Sequence, residues 1–514
     1  MRSLTRRQFV TRAAAGCGAL AVSRVGGEAS AQTNRRPPNL LIVMPDQMRG
    51  MAMGFLGEEP VLTPTLDRFA AESLVLTQAA STYPICSPAR AMMLTGLYPH
   101  ANGVLENCNS MSAPHGVELK ATARTWSDVL KTRGYSLGYI GKWHLDSPRR
   151  PYVDTSNNTD QEAWNEWTPP ERRHGFDFWY AYGTYDQHMH PEYWTTTATR
   201  DQRTKVEQWG PEHEADMAIR YLKNEGGTFR NAGQPFALVV SMNPPHMPYG
   251  QLPKSYVERY ADAAPADLIK RASVNLNGTT AMDQLARNQT KNYFAAITGV
   301  DEQFGRILSA LDQLQLRDDT IVLFTSDHGN CLGAHQEVSK NVAWEESIRV
   351  PFLLRWPGRI RPRRDELLLS TPDIMPTLLT LMGFGADVPA GVQGASHAAL
   401  CLTGNGPRPT SQLYLHVPVG QPALGRRGVR TDRYTLVVTR EAGAPERVEL
   451  YDRLYDPSQL RDISASQPEM VKRLMARELS PWLERTGDPW HLQRSPVAQR
   501  SGPADAMQYR TRQT

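Results

Sequence analysis

The chain has 514 residues, enough for a large core and more than one domain. Charged residues make up 21% and hydrophobic residues 40%, the balance of an ordinary soluble globular protein rather than a disordered or fibrous one. The formal charge of +4 originates in the first 31 residues, which hold five arginines and one acid; the rest is close to neutral, a balance that implies no basic face for nucleic acid or membrane.

Those first residues read as an address. "LTRRQFVTRAAAGCGALAV" sets an arginine pair before a short apolar run, and "ASA" at 29–31 offers a small-residue cleavage site. Residues 1–31 are therefore expected to be a twin-arginine export signal, with the Tat export machinery as partner and a periplasmic or secreted destination. Cys17 in "AAGC" is a weaker candidate for lipidation, because apolar residues continue beyond it. No segment is long and apolar enough to span a bilayer, so no integral membrane segment is expected in the mature chain.

After a proline-bearing linker, "NLLIVM" (39–44) is a short apolar run bounded by turn formers, the pattern of a buried strand. It releases Asp46 and Gln47 into a loop. Next, "TYPICSPARAMMLTG" (82–96) places Cys86 with no cysteine near it to pair with. In "GYIGKWHLDSP", Lys142 and His144 are two apart, so an extended segment would point both the same way. Residues 160–195 are dense in Trp and Tyr, which suits either a sugar-binding platform or core packing. A helix is predicted over 212–226, then a strand over 236–242 followed by His246 between prolines. A second helix over 292–314 leads into a strand over 320–325, which releases Asp327, His328 and Asn330. Lys340 follows, ahead of another helix and strand. Near residue 405 turn formers accumulate, and short strands with tight turns take over before a final helix around 467–485.

Buried strands alternating with amphipathic helices predict an α/β fold with a largely parallel sheet. The expected division is a catalytic domain over 32–405 and a smaller C-terminal α+β domain over 406–514. In parallel sheets, ligand groups collect on loops beyond the carboxyl ends of strands. Asp46, Gln47, Asp327 and His328 offer three oxygens and one imidazole there, a set that suits Ca2+ or Mg2+ better than Zn2+. Each aspartate taken alone suits a turn cap equally well. A divalent cation with two lysines, an arginine and two histidines would suit a sulfate or phosphate substrate, one histidine protonating the leaving oxygen. Periodicity does not show that these groups converge.

"CSPAR" (86–90) resembles the C-x-P-x-R signature of the type I sulfatases, in which an enzyme oxidises the cysteine to formylglycine. "GYSLGYIGKWHLDS", "MNPPHMPY", "TIVLFTSDHGN", "EESIRVPFLLRWPG", "TPDIMPTLL" and "RGVRTDRYTLV" resemble further blocks of that family in its order, from about Asn39 to at least Asp456. The resemblance implies an alkaline phosphatase-like sandwich with a large mixed, mostly parallel sheet, plus a C-terminal antiparallel sheet. It implies hydrolysis of a sulfate ester with Cys86 as nucleophile and metal ligand. Asp46, Gln47, Asp327 and His328 would complete a Ca2+ shell, Mg2+ or Mn2+ being alternatives. Arg90 and Lys142 would hold the hydrated aldehyde, Lys142 also binding sulfate. His144 would help expel sulfate, and His246 and Lys340 would contact the sulfate and bridging oxygen, His246 as general acid. The formylglycine-generating enzyme is the implied partner, and a sulfated carbohydrate or other small sulfate ester the implied substrate. The chain departs from the family's frequent Asp–Asp pair with Asp46–Gln47, a pairing also found in related phosphonate monoester hydrolases, and carries Ala89 where serine is common. Phosphonate or phosphodiester hydrolysis is therefore the alternative activity, and a non-catalytic glycan-binding relative the alternative outside catalysis.

Overall fold

A computed structural model describes residues 37–492; the export segment 1–31, with Cys17 and the cleavage site at Ala31, lies outside the described residues. Fourteen strands are found among the described residues. In chain order the first six are β1 (Asn39–Val43), β2 (Leu74–Leu76), β3 (Ser136–Lys142), β4 (Phe178–Tyr182), β5 (Glu192–Thr195) and β6 (Thr204–Lys205). They are followed by β7 (Phe236–Ser241), β8 (Thr320–Thr325), β9 (Phe352–Arg355) and β10 (Arg363–Asp365). The last four are β11 (Ser411–His416), β12 (Gly425–Thr431), β13 (Tyr434–Arg440) and β14 (Arg447–Asp452).

The first ten form one sheet in the order β10-β2-β9-β8-β1-β7-β3-β4-β5-β6, and the last four form an antiparallel meander. The central five, β8-β1-β7-β3-β4, run parallel, while β9, β5 and β6 pair antiparallel, so the sheet is mixed but mostly parallel as expected. The apolar runs of β1, β7 and β8 arise because both faces of these strands are covered. Leu41, Val43, Leu238, Val240, Val322 and Phe324 face one core with Tyr221, Phe294 and Ile297 from the helices Gly210–Lys223 and Ala281–Gln313. Leu40, Ile42, Ala237, Val239, Ile321 and Leu323 face the other, with Leu94, Leu130 and Leu378. Among the described residues no helix is long and apolar enough to cross a membrane.

The helix Ala281–Gln313 begins eleven residues before the predicted 292. Its opening turns, "AMDQLARNQTK", are too polar to show a clear period, and a capping box starts them. Thr280 Oγ1 accepts from the Asp283 backbone N–H at 3.1 Å, and Asp283 returns a bond to the Thr280 N–H at 3.1 Å.

The helix Cys86–Thr95 is wedged between the two sheets, and all ten of its residues are buried. Ala91, Met93 and Leu94 pack toward Ile42 and Val239 of the large sheet. Met92, with Ile85 just ahead of the helix, packs against Leu413, Leu415, Val429 and Val438 of the small one. An extended Ile85 precedes the first turn, and Gly96 closes the last in the left-handed region at φ 66°. A residue at the start of this helix is therefore fixed from both sides.

Two glycines let the strand ends close up. Gly141 lies at φ +95°, where a Cβ would run into the carbonyl oxygen of Ser241 on β7. A Cβ on Gly329, just after β8, would meet the carbonyl oxygen of Glu346 in the same way.

Candidate active site

The loops leaving β1, β3, β4, β7 and β8 gather at one end of the sheet, the carboxyl end of the parallel strands, around the first residue of the helix Cys86–Thr95. Cys86 is 1% exposed. Its Sγ lies 3.2 Å from Lys340 Nζ, 3.3 Å from His328 Nε2, 3.8 Å from Asp46 Oδ1 and 3.9 Å from Lys142 Nζ. Burial and the Asp46 carboxylate push this thiol up, but Lys142, Lys340 and His328 outweigh them and hold it well below the ordinary thiol range. The aligned peptide dipoles at the helix start favour negative charge at the same point.

The other three thiols among the described residues have no such surroundings. Cys108, Cys331 and Cys401 are free and buried, and burial pushes each of them up. Cys86 stands apart by chemistry, not by burial.

Arg90 ties the site together one turn along the helix. Its Nη2 is 2.9 Å from Asp46 Oδ2 and its Nε donates to Asp327 Oδ2 at 2.9 Å. Its Nη1 donates to the Lys142 carbonyl at 2.7 Å and to Ser241 Oγ at 2.8 Å. One guanidinium thus fixes the ends of β1, β3, β7 and β8, which a lysine with a single nitrogen could not do.

The donors of the expected cation site converge. Asp46, Cys86, Asp327 and His328 each bring a ligand atom within 4.8 Å of the others, all buried. His328 Nδ1 lies 2.9 Å from the Gly329 carbonyl, which places the proton there and leaves Nε2 with its lone pair facing the cluster. Gln47 sits at φ 65°, and its Nε2 donates to Ser339 Oγ at 3.1 Å and reaches Tyr249 Oη at 3.4 Å. Its Oε1 is thereby turned toward Lys340 Nζ, 3.0 Å away, beside Cys86. Burial and the neighbouring Asp46 push the Asp327 carboxyl up, against His328 and Arg90. Two crowded carboxylates, an amide oxygen and an oriented imidazole fit a hard divalent cation, which would relieve that repulsion.

The remaining expected residues also reach the site. Lys142 Nζ is 2.8 Å from Asp46 Oδ2, and Lys340 Nζ faces Sγ as described. The extended geometry expected to align Lys142 with His144 is not what the structure uses. β3 ends at Lys142, and His144 turns back at φ 54°. Its Nε2 is 3.2 Å from the Cys108 carbonyl, while Nδ1 is buried without a hydrogen-bond partner. Burial pushes its imidazole down to about 4, the adjacent Cys86 opposing only in part, so the ring is neutral near pH 7 and able to accept a proton. His246, half-buried, sits at the rim with Nδ1 2.7 Å from the Met247 carbonyl.

Sequence reasoning missed Ser241 and Asn243 on the loop side of β7, and Asp186 and His188 after β4. The rule that ligand groups follow parallel strands would have found the latter two, had "FDFWYAY" been read as a strand. The aromatic residues between 160 and 195 mostly form core instead of a platform: Trp179, Tyr193 and Trp194 are each at most 1% exposed. Trp164, Trp167 and Phe178 are half-buried, and Trp164 tilts over His144 with ring centroids 6.2 Å apart.

Comparison with known proteins agrees with this geometry. A Sulfatase family profile matches residues 38–384, and one described as N-sulphoglucosamine sulphohydrolase, C-terminal, matches residues 333–484. An endo-4-O-sulfatase of Bacteroides thetaiotaomicron is 39% identical over 492 residues, covering 89% of this chain and 94% of the relative. An ulvan-active sulfatase of Formosa agariphila is 32% identical over 463 residues, covering 88% and 82%. The crystal structure of yidJ from Bacteroides fragilis is 49% identical with a TM-score of 0.86, covering 90% of this chain and 99% of that one. A family match over most of the chain, falling on a buried cysteine ringed by lysines, arginine, carboxylates and histidine, shows that the chain belongs to the sulfatase family and is a sulfuric ester hydrolase.

Proposed function

We propose that the protein removes sulfate from a sulfated carbohydrate, using formylglycine made from Cys86 and a resident Ca2+ held by Asp46, Gln47, residue 86, Asp327 and His328. The observation that carries this reading is the placement of Sγ against Lys340, His328, Asp46 and Lys142 at the start of a fully buried helix. The relatives named for endo-4-O-sulfatase and ulvan-active sulfatase activity favour a glycan over an aryl ester.

Cys86 Sγ marks where an oxygen of the hydrated aldehyde would stand. That hydroxyl gives up its proton toward the Asp46 carboxylate, its oxygen bonds to sulfur, the bridging S–O bond breaks, and His246 gives a proton to the leaving alcohol. His144 then takes the proton of the second geminal hydroxyl. The C–O bond to sulfate breaks, the aldehyde reforms, and water rehydrates it. Lys142 and Lys340 bind the sulfate oxygens throughout, and Arg90 holds the acidic ligands in place. When bound, the cation would withdraw electron density from the sulfate oxygens. An unmodified thiol or a lone hydroxyl has no second hydroxyl to expel sulfate.

Inorganic sulfate release from saccharides sulfated at different positions tests this reading, with an aryl phosphonate as comparison. Saccharide sulfates are expected to turn over faster than the phosphonate, and the peptide holding residue 86 to have exchanged sulfur for oxygen and lost two hydrogens. Faster phosphonate cleavage would overturn the activity, and a fully active preparation with unmodified cysteine would overturn the mechanism.

The modifying partner is then the formylglycine-generating enzyme. We also assign residues 1–31 as a twin-arginine signal directing the protein to the periplasm or medium, supported by Arg6–Arg7 ahead of the apolar run. Cell fractionation checks this: replacing both arginines by lysine is expected to retain the protein in the cytoplasm, and unchanged export would refute the assignment.

A further inference from the structure

The loop leaving β4 brings a second group of titratable side chains to the rim of the site. Asp186, His188 and His246 place a carboxylate and two imidazole nitrogens within 4.8 Å of one another. Asp186 Oδ1 is 3.6 Å from His246 Nδ1, the nitrogen that also lies 2.7 Å from the Met247 carbonyl. A carbonyl only accepts, so Nδ1 carries a proton toward Met247 and Asp186, and Nε2 is the atom left for chemistry.

Asp186 is itself anchored. Asn157 Nδ2 donates to its Oδ2 at 3.0 Å, and Asn157 Oδ1 accepts its backbone N–H at 2.9 Å. Asn243 Nδ2 approaches Asp186 Oδ1 at 3.3 Å and His188 Nε2 at 3.1 Å. Asn243 Oδ1 accepts from Lys142 Nζ at 3.1 Å, which fixes which way this amide points. A continuous path of contacts therefore runs from Lys142, beside the nucleophile, through Asn243 and Asp186 to His246. Burial pushes the Asp186 carboxyl up, but His246 and Lys142 outweigh it and keep it ionised. Burial pushes His188 down to about 3, so this ring is neutral and accepts from Asn243 at Nε2. His188 serves the loop, and His246 is the imidazole set against a carboxylate through a protonated nitrogen.

We propose that Asp186 is the positioning residue of His246, aiming Nε2 at the bridging oxygen of the ester and balancing the charge of the imidazolium that protonates the leaving alcohol. The proton leaves Nε2 for the alcohol oxygen as the S–O bond breaks, and the ring becomes neutral while Nδ1–H stays on the Met247 carbonyl with the Asp186 carboxylate 3.6 Å from that nitrogen. The inference rests on the reading of His246 as general acid. Asp186 touches no reacting atom, so its effect runs through the ring, in the manner of an acid that orients a histidine.

A mutant cycle on the full-length, formylglycine-bearing enzyme tests the inference, with sulfate release from a cleaved sulfated saccharide as readout. Asp186→Asn is expected to lower kcat by about 10²-fold with KM little changed, since a positioned acid is worth roughly that much or more. On 4-nitrophenyl sulfate, whose leaving oxygen needs no proton, the same variant is expected within about three-fold of wild type. Asp186→Glu is expected to recover part of the loss and guards against a misfolded Asn variant. In the double variant with His246→Ala, Asp186→Asn is expected to add nothing. Equal losses on both substrates, or full additivity in the double variant, would overturn the Asp186 inference alone. Wild-type activity in His246→Ala would overturn the general-acid reading, and the inference with it.

Discussion

Cys86→Ala is expected to bring sulfate release down by about 10⁴-fold or more, as losing a nucleophile does in other covalent hydrolases. The fold should be little affected. Alanine is a good helix former, and the helix start is held by Ile85, Met92 and Leu94 packing on two sheets, not by the thiol. Sulfate release and thermal unfolding measured together separate the two effects, and a loss of activity that follows a loss of folded protein would count against the nucleophile. Cys86→Ser is the sharper companion. Its single hydroxyl can attack sulfur but cannot expel sulfate, so one sulfated serine per chain is expected, seen by mass, without turnover. Sustained turnover by the serine variant would contradict the two-hydroxyl mechanism.

Arg90→Ala is expected to have the largest effect on stability. Arg90 is 1% exposed and touches Asp46, Asp327, Ser241 and the Lys142 backbone. Its removal leaves two buried carboxylates short of a cation, a change that costs about 3–5 kcal/mol in buried ion pairs. Urea unfolding with a chelator present reads that cost. The sign of its pH dependence follows from the charges. Burial already holds the Asp327 carboxyl up, and losing the guanidinium lifts it further. Asp46, held down by Lys142 and His246 as well, loses part of its lowering. The variant's folded state thus keeps protons to higher pH than wild type and loses that support as pH rises. The gap to wild type should therefore widen from about pH 4 to pH 7, where unfolded carboxylates are ionised. A gap below about 1 kcal/mol throughout would mean Arg90 is replaceable by water. Arg90→Lys keeps the charge but not the four-way reach, and should fall between the two.

The parts of the fold that the sequence reveals are those where burial is uniform. β1, β7 and β8 are covered on both faces, so their apolar runs show without periodicity. β3, "SLGYIGK", is buried throughout as well, but Gly138 and Gly141 interrupt its pattern because neighbouring groups leave no room for a Cβ. The helix Ala281–Gln313 is legible only where it crosses the core. The site divides along similar lines. Asp46, Gln47, Asp327 and His328 follow obvious strands, whereas their meeting with Cys86 was known only through resemblance to a family. Asp186 and His188 lay in a stretch whose aromatic residues drew attention to sugars; those rings are filler between helices and sheet, and the two polar residues among them carry the interest. Arg90 gave no hint in the sequence of the four partners it holds, since they come from four strand ends far apart in the chain.

The glycines at 141 and 329 have a consequence for how this molecule can change. Each sits where two backbone segments pass too closely for any side chain, next to Lys142 and His328. Together they draw a seam across the molecule. On the sheet side, spacing is set by main chain against main chain, and variation there displaces the charged cradle. By contrast, exposed loop stretches such as 159–162 and 420–422 carry little of this packing and can exchange residues without shifting the nucleophile. A library aimed at new glycan preferences belongs beyond that seam, and a library spread evenly over the chain would spend many of its members on positions with no tolerated alternative.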